Sequence, residues 1–263
     1  MSSSQLRDIA IEVVTEVEKN CNFRPQRFDI RSEGPYRLVR TEGHEVAQRT
    51  MDEVLARHEV SYYEYSEMHE QKKRKVGDHP SVFIYKDPID GSIFYQQGDK
   101  RHVASCILIC DLDYRPLAAA VADFGYPAIY SADSAGAYKN DEPIQPAEKE
   151  DLNYAFIATY SVKPEFWLKQ PILDPLAKAG ANIFNAANAV DECKIAEGIY
   201  HAAAEFIPVP KTEAAGLFIA QQAGAIVSDI EGNSYIFNPE PSTKLIACTE
   251  KLRKAILDSL NAK

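Results

Sequence analysis

Hydrophobic positions recur at two different spacings along this chain. From Leu6 to Val17 the apolar residues, including Ile9, Val13, Val14 and Val17, fall mostly at helical intervals. A second helical stretch is predicted from about Glu45 to Arg57 through Val46, Met51, Val54 and Leu55. The pattern then changes to short apolar runs, which predict strands at Val60–Tyr65, Val82–Lys86, Val103–Cys110, Leu117–Asp123 and Ala128–Ser131. Residues 141–151 are polar and punctuated by proline, which suits a domain boundary. Beyond them, strands near Tyr154–Thr159, Asn182–Phe184 and Leu245–Cys248 alternate with helices near Ile172–Ala179, Val190–Glu197, Glu213–Ala223 and Glu250–Leu260. The reading is an α+β half over 1–145 and an α/β half over 146–263, with no internal repeat.

Composition narrows the function class. With 263 residues the chain can bury a sizeable core. A net charge of -10 argues against broad binding to a nucleic-acid polymer or an anionic membrane, but not against a phosphorylated metabolite held through a cation. No apolar run is long enough to span a bilayer and no signal peptide is visible, so a cytoplasmic setting is expected. Five cysteines are scattered without a Cys-x-x-Cys pair. Cys106 and Cys110 share one face of a predicted strand and read as core. Lys72-Lys73-Arg74-Lys75, the one basic run, reads as a solvated loop.

The strongest chemical signal is Asp87-Pro88-Ile89-Asp90-Gly91-Ser92, directly after the apolar run Val82–Tyr85. Two carboxylates and a hydroxyl at this spacing suit a hard divalent cation. Gly91 allows a tight turn, and amides at the start of a following helix can meet a phosphate. The plain alternative is a solvated Asp-Pro and Asp-Gly turn. A second segment, 214–232, reads as helix, glycine stop at Gly224, strand, then an acidic Gly turn.

Together these segments resemble the inositol monophosphatase family, Mg²⁺-dependent, Li⁺-sensitive phosphomonoesterases related to fructose-1,6-bisphosphatase. The resemblance runs from about residue 5 to 250. It implies a layered αβαβα sandwich with the site between the two halves, a Mg²⁺ cofactor with Mn²⁺ as a substitute, and homodimers as the family habit. It also implies a first metal site formed by Glu67, Asp87, the Ile89 carbonyl and Ser92, with Glu64 and Glu70 as competitors for the place of Glu67. Asp90 would join a second metal site. Glu205 corresponds to an acidic residue that contacts substrate hydroxyls, against the alternative of a surface carboxylate. Asn188, in Ala186-Ala187-Asn188-Ala189, stands at a helix start that faces substrate, and Gly91 and Ser92 would hold the phosphate.

Departures from the family pattern cluster at the same site. Met68 replaces the second Glu of Gly-Glu-Glu. Lys211 and Thr212 stand where the family has Trp-Asp, so a neutral hydroxyl replaces an anionic ligand and the second cation is expected to bind weakly. His44 takes the place of the Asp that activates the attacking water. An imidazole can serve as a base near neutral pH, with Ser92 as its expected neighbour, while Glu42 and Glu45 lie beside it. The resulting expectation is Mg²⁺-dependent hydrolysis of a small inositol, sugar or nucleotide phosphate, with Ser92, His44 and Glu67 catalytic. The alternative is a catalytically impaired relative that binds a phosphorylated metabolite or a partner protein.

Overall fold

The computed structural model describes residues 1–23, 28–30, 39–66, 68, 73–159, 173–185, 189–205, 212, 214–239 and 245–261. Helix α1 (Ser3–Asn20) starts at a capping box. Gln5 N–H donates to Ser2 Oγ at 3.2 Å, and Ser2 N–H donates to Gln5 Oε1 at 2.8 Å. Its buried stripe includes Leu6, Ile9, Val13, Val14 and Val17, and each such side chain contributes roughly 1.5–3 kcal/mol on leaving water. A two-stranded antiparallel ribbon, β1 (Phe28–Ile30) and β2 (Val39–Thr41), leads into α2 (Glu42–Arg57).

Then come β3 (Tyr62–Ser66), β4 (Arg74–Val76), β5 (Val82–Asp90), the short α3 (Ser92–Gln96), β6 (Ala104–Cys110), β7 (Pro116–Asp123), β8 (Ala128–Asp133), β9 (Gly136–Lys139) and β10 (Glu142–Pro143). These strands form one sheet in the order β10-β9-β8-β7-β6-β5-β3-β4. Arg74 and Lys75 of the basic run therefore lie in an edge strand and not in a loop. Both stay exposed to solvent, and Arg74 pairs with Glu64 at 2.5 Å across the strands.

The second sheet contains β11 (Phe156–Thr159), β12 (Asn182–Asn185), β13 (Ala202–Glu205), β14 (Ile226–Asp229) and β15 (Leu245–Cys248), in the order β12-β11-β13-β15-β14. Between the sheets lie α4 (Ala189–Ala196) and α5 (Ala215–Ala223), and α6 (Glu250–Asn261) ends the described chain. The apolar run at β13, Ala202-Ala203-Ala204, had no strand signature because alanine favours helices; burial on both faces makes it a strand.

Side-chain alternation divides the central strands between two cores. Val82, Ile84, Ile107 and Ile109 pack with α1 and α2 on one face. Phe83, Tyr85, Ala104, Cys106, Leu108 and Cys110 pack with α4 and α5 on the other. Leu252 and Ile256 of α6, with Leu173 and Leu176 from a helical segment at 173–178, cover the outer face of the second sheet. The result is the expected αβαβα sandwich. Among the described residues no helix is long and apolar enough to cross a membrane.

Candidate active site

The end of β5 does not stop at Lys86, as its apolar run suggested, but continues through Asp90. Asp87 pairs with Cys106 and Asp90 with Ala104, so three steps along β5 match two along β6. That is a bulge, and Pro88, which has no N–H for the ladder, sits inside it. The extra residue has a chemical consequence. Side chains three apart on a regular strand face opposite ways, whereas here both carboxylates register with partners on the α4/α5 face. Ile89 falls in the other core. Asp87 and Asp90 are both buried.

Gly91 turns the chain with φ 83°, and a Cβ there would collide with the His102 carbonyl oxygen. The turn delivers Ser92 to the start of α3. Ser92 Oγ donates to the Ile89 carbonyl at 3.3 Å and lies 3.3 Å from His44 Nε2. His44 is buried at the third position of α2. Gly43 permits this approach, because α2 packs there directly on the buried Tyr95 of α3 and any side chain would meet its ring. The Thr41 N–H donates to His44 Nδ1 at 3.2 Å. A neutral ring that accepts at Nδ1 carries its proton on Nε2, so His44 faces Ser92 as a donor. Glu42 and Glu45, its neighbours, are exposed.

The opposite wall comes from α4 and α5, and here the sequence reading missed a residue. The Ala189 N–H, at the start of α4, donates to Asp90 Oδ2 at 2.7 Å. One turn on, Glu192 is buried against the first turn of α5. A Cβ on Gly216 would lie 2.6 Å from Glu192 Oε2, so the glycine makes room for this carboxyl. The Leu217 N–H bonds to the Glu192 carboxyl, but Oε2 has no hydrogen-bond partner. Burial, then the charges of Glu205, Asp90 and Asp191, hold Glu192 well above the usual carboxylate range. Burial and then Asp87 push Asp90 up in the same way, partly opposed by the Ala189 and Gly91 N–H groups. The Gly91 amide is thus turned toward Asp90, in competition with the phosphate contact expected of it.

Glu205, at the end of β13, is buried and not a surface carboxylate. Thr212 sits above the β5–β6 pair, its carbonyl accepting from Cys106 Sγ at 3.3 Å. Its hydroxyl is buried without a partner. Met68 is half-buried, its N–H donating to Ser66 Oγ at 3.2 Å. Glu67, Asn188 and Lys211 lie outside the described residues, as do Glu70 and Lys72.

On the other face of β5 lies a second buried charge cluster that the sequence did not announce. Lys86 Nζ is 2.5 Å from both Asp52 Oδ1 and Glu64 Oε1. Gln48 donates to both carboxylates and accepts from Ser66 Oγ at 2.7 Å. His44, Gln48 and Asp52 follow one another at four-residue intervals along one stripe of α2.

Among the described residues no three His, Cys, Asp or Glu side chains converge tightly enough to enclose a metal ion as they stand. The donor set nevertheless fits a hard divalent cation. Asp87, Asp90, the Ile89 carbonyl and Ser92 offer only oxygen, and two further buried oxygens, Glu192 Oε2 and Thr212 Oγ1, lack partners.

A five-layered sandwich whose central strand ends in paired carboxylates is the architecture of the phosphomonoesterases that the sequence resembles. The model of the inositol monophosphatase family matches residues 3–262, and the chain belongs to that family. It is 28% identical over 185 residues to a fructose-1,6-bisphosphatase/inositol-1-monophosphatase of Archaeoglobus fulgidus, covering 67% of this chain and 69% of that protein. The fold is similar to the extragenic suppressor protein SuhB of Bartonella henselae, with a TM-score of 0.83, 19% identity and coverage of 98% and 99% of the two chains. An inositol monophosphatase of Thermotoga maritima matches with a TM-score of 0.79, 20% identity and coverage of 98% and 97%.

Proposed function

We propose that this chain hydrolyses a small phosphate monoester, of the inositol, sugar or nucleotide class, in a Mg²⁺-dependent reaction. The observation that carries this reading is the Pro88 bulge, which puts Asp87 and Asp90 on one buried face beside Ser92. Asp87, Asp90, the Ile89 carbonyl and Ser92, together with Glu67, would hold the cation. Bound there, Mg²⁺ supplies Lewis-acid polarisation of the phosphoryl oxygens and lowers the pKa of water. Ser92 Oγ, held between His44 Nε2 and the Ile89 carbonyl, orients the attacking water. His44 acts as a positioning donor to Ser92, because its Nδ1 already accepts from Thr41. The role of base that the sequence suggested would require the ring to give up its bond to the Thr41 amide. Glu205 and Asn188 bind the hydroxyls of the ester, with Mn²⁺ able to replace Mg²⁺.

A second reading is a family member that binds a phosphorylated metabolite or a partner protein without turning it over. Thr212 in place of a carboxylate favours it. So does the name of a 28% identical relative from Neisseria meningitidis, which refers to the Nus factor SuhB; that match covers 57% of the relative. A screen of purified protein against small phosphate esters with Mg²⁺ or Mn²⁺ decides between them. Metal-dependent release of phosphate, lost in Asp87→Asn, is the expected result. Metal-dependent ester binding with no turnover for any ester supports the binding reading and overturns the enzyme.

A further inference from the structure

Thr212 leaves the second cation position without the carboxylate that the inositol monophosphatase pattern places there. The folded chain brings another carboxylate to the same wall. Glu192 lies on α4, three residues past the Ala189 amide that holds Asp90. It is 5% exposed, and its Oε2 has no partner. Gly216, four residues after Thr212, is bare where this oxygen approaches. A buried carboxyl oxygen without a partner costs stability until a proton donor or a cation joins it. The Thr212 hydroxyl, also buried and unbonded, belongs to the same wall.

We propose that Glu192 supplies the anionic ligand that position 212 lacks, so that this chain holds a second divalent cation through Asp87, Asp90 and Glu192. The ligand set is rewired from the loop before α5 to the helix that faces it. The inference rests on the metal-dependent reading above, and it replaces the weak second site that the sequence alone suggested. The Glu192 carboxylate has to move toward Asp90, because the carboxylates do not enclose an ion as they stand. Hard cations favour sites with more anionic oxygens, which is the reason a carboxylate, and not the hydroxyl, carries the binding.

The test is to count Mn²⁺ bound to the metal-free parent and to Glu192→Gln by equilibrium dialysis and calorimetry, with Mn²⁺ alone as the probe. Gln is close in shape and can still accept from the Leu217 N–H. The expected result is two ions per parent chain and one per variant, the tighter site unchanged. The thermal midpoint of the metal-free variant should match or exceed the parent's, while the gain on adding Mn²⁺ should shrink. Thr212→Asp in the Glu192→Gln background should restore the second ion. Two ions in Glu192→Gln, or one in the parent, overturns the inference and leaves the first metal site standing. No ion in the parent overturns both this inference and the metal-dependent reading. A lower midpoint for metal-free Glu192→Gln with unchanged Mn²⁺ counts assigns Glu192 to capping α5 and also overturns the inference.

Discussion

The two faces of β5 look onto two clusters of carboxylates that are balanced in different ways. Under Lys86, Asp52 and Glu64 share an ammonium at 2.5 Å, with Arg74 and Gln48 completing the set. Over Asp87 and Asp90, the strongest charges acting on Asp90 and Glu192 come from other carboxylates. The first cluster is closed by the protein's own cations and serves to fasten α2 to the sheet. The second has no such counter-charge among the groups that act most strongly on Asp90 and Glu192, and we propose that a cation from solution supplies it. One residue step along a strand separates a structural ion network from the proposed metal site, because alternate side chains face opposite cores.

Substitutions that break this comparison should have unequal effects. Lys86→Met removes the fully buried ammonium and leaves Glu64 to Arg74 and Gln48, so the loss in denaturant unfolding should approach about 3–5 kcal/mol, the scale for breaking a fully buried ion pair. The triple variant Lys86→Met/Asp52→Asn/Glu64→Gln should recover most of that loss. Asp90→Asn should do the reverse of Lys86→Met: the metal-free protein should melt at the same or a higher temperature. The stabilisation by Mg²⁺ or Mn²⁺ should largely disappear. A melting temperature that drops as far as that of Lys86→Met would mean that the two clusters are not different in kind.

The pH dependence separates the clusters as well. Asp90 and Glu192 hold their protons above the ordinary carboxylate range, so the stability they lend is complete below that range and is lost as pH rises through their raised values. Burial pushes Asp52 up, but the Lys86 ammonium and the Gln48 bond outweigh it and hold Asp52 low. Its contribution is therefore present above the ordinary Asp range and lost as pH falls through the depressed value. Metal-free protein should lose stability with rising pH above about 5, from the ordinary carboxylate range upward. Asp90→Asn should flatten that decline, and saturating Mg²⁺ should oppose it. Thermal melts with and without chelator across pH give both slopes.

His44 links the two clusters along α2, and its substitution should cost less stability than Lys86→Met. His44→Ala loses the bond to the Thr41 N–H, which should cost about 1 kcal/mol, as for a lost helix cap. Turnover should fall by more than about tenfold with ester binding retained. His44→Gln, which keeps a donor and suits the capping box, should recover the stability and part of the turnover. Full loss of turnover in His44→Gln, with restored stability, would favour a proton-transfer role over positioning.

The sequence by itself determined the main helices, many of the strands, the carboxylate pair and the family. These rest on local signals: helical spacing from Leu6 to Val17, apolar runs, and Asp-Pro-Ile-Asp-Gly-Ser as one contiguous string. It also marked Thr212 and His44 as departures, since each sits at a fixed distance from a motif. What it did not show depended on partners far apart in the chain. The bulge needs β6 as its ruler before Asp87 and Asp90 share a face. Glu192 lay unremarked in the predicted helix Val190–Glu197, because what marks it, the bare Gly216 and the charge of Asp90, belongs to two other elements. Lys86, beside the motif, was read only as the last residue of an apolar strand, because its balancing carboxylates come from α2 and β3. Burial and charge balance are properties of the surroundings, and tertiary packing alone decides which charges a given carboxylate meets.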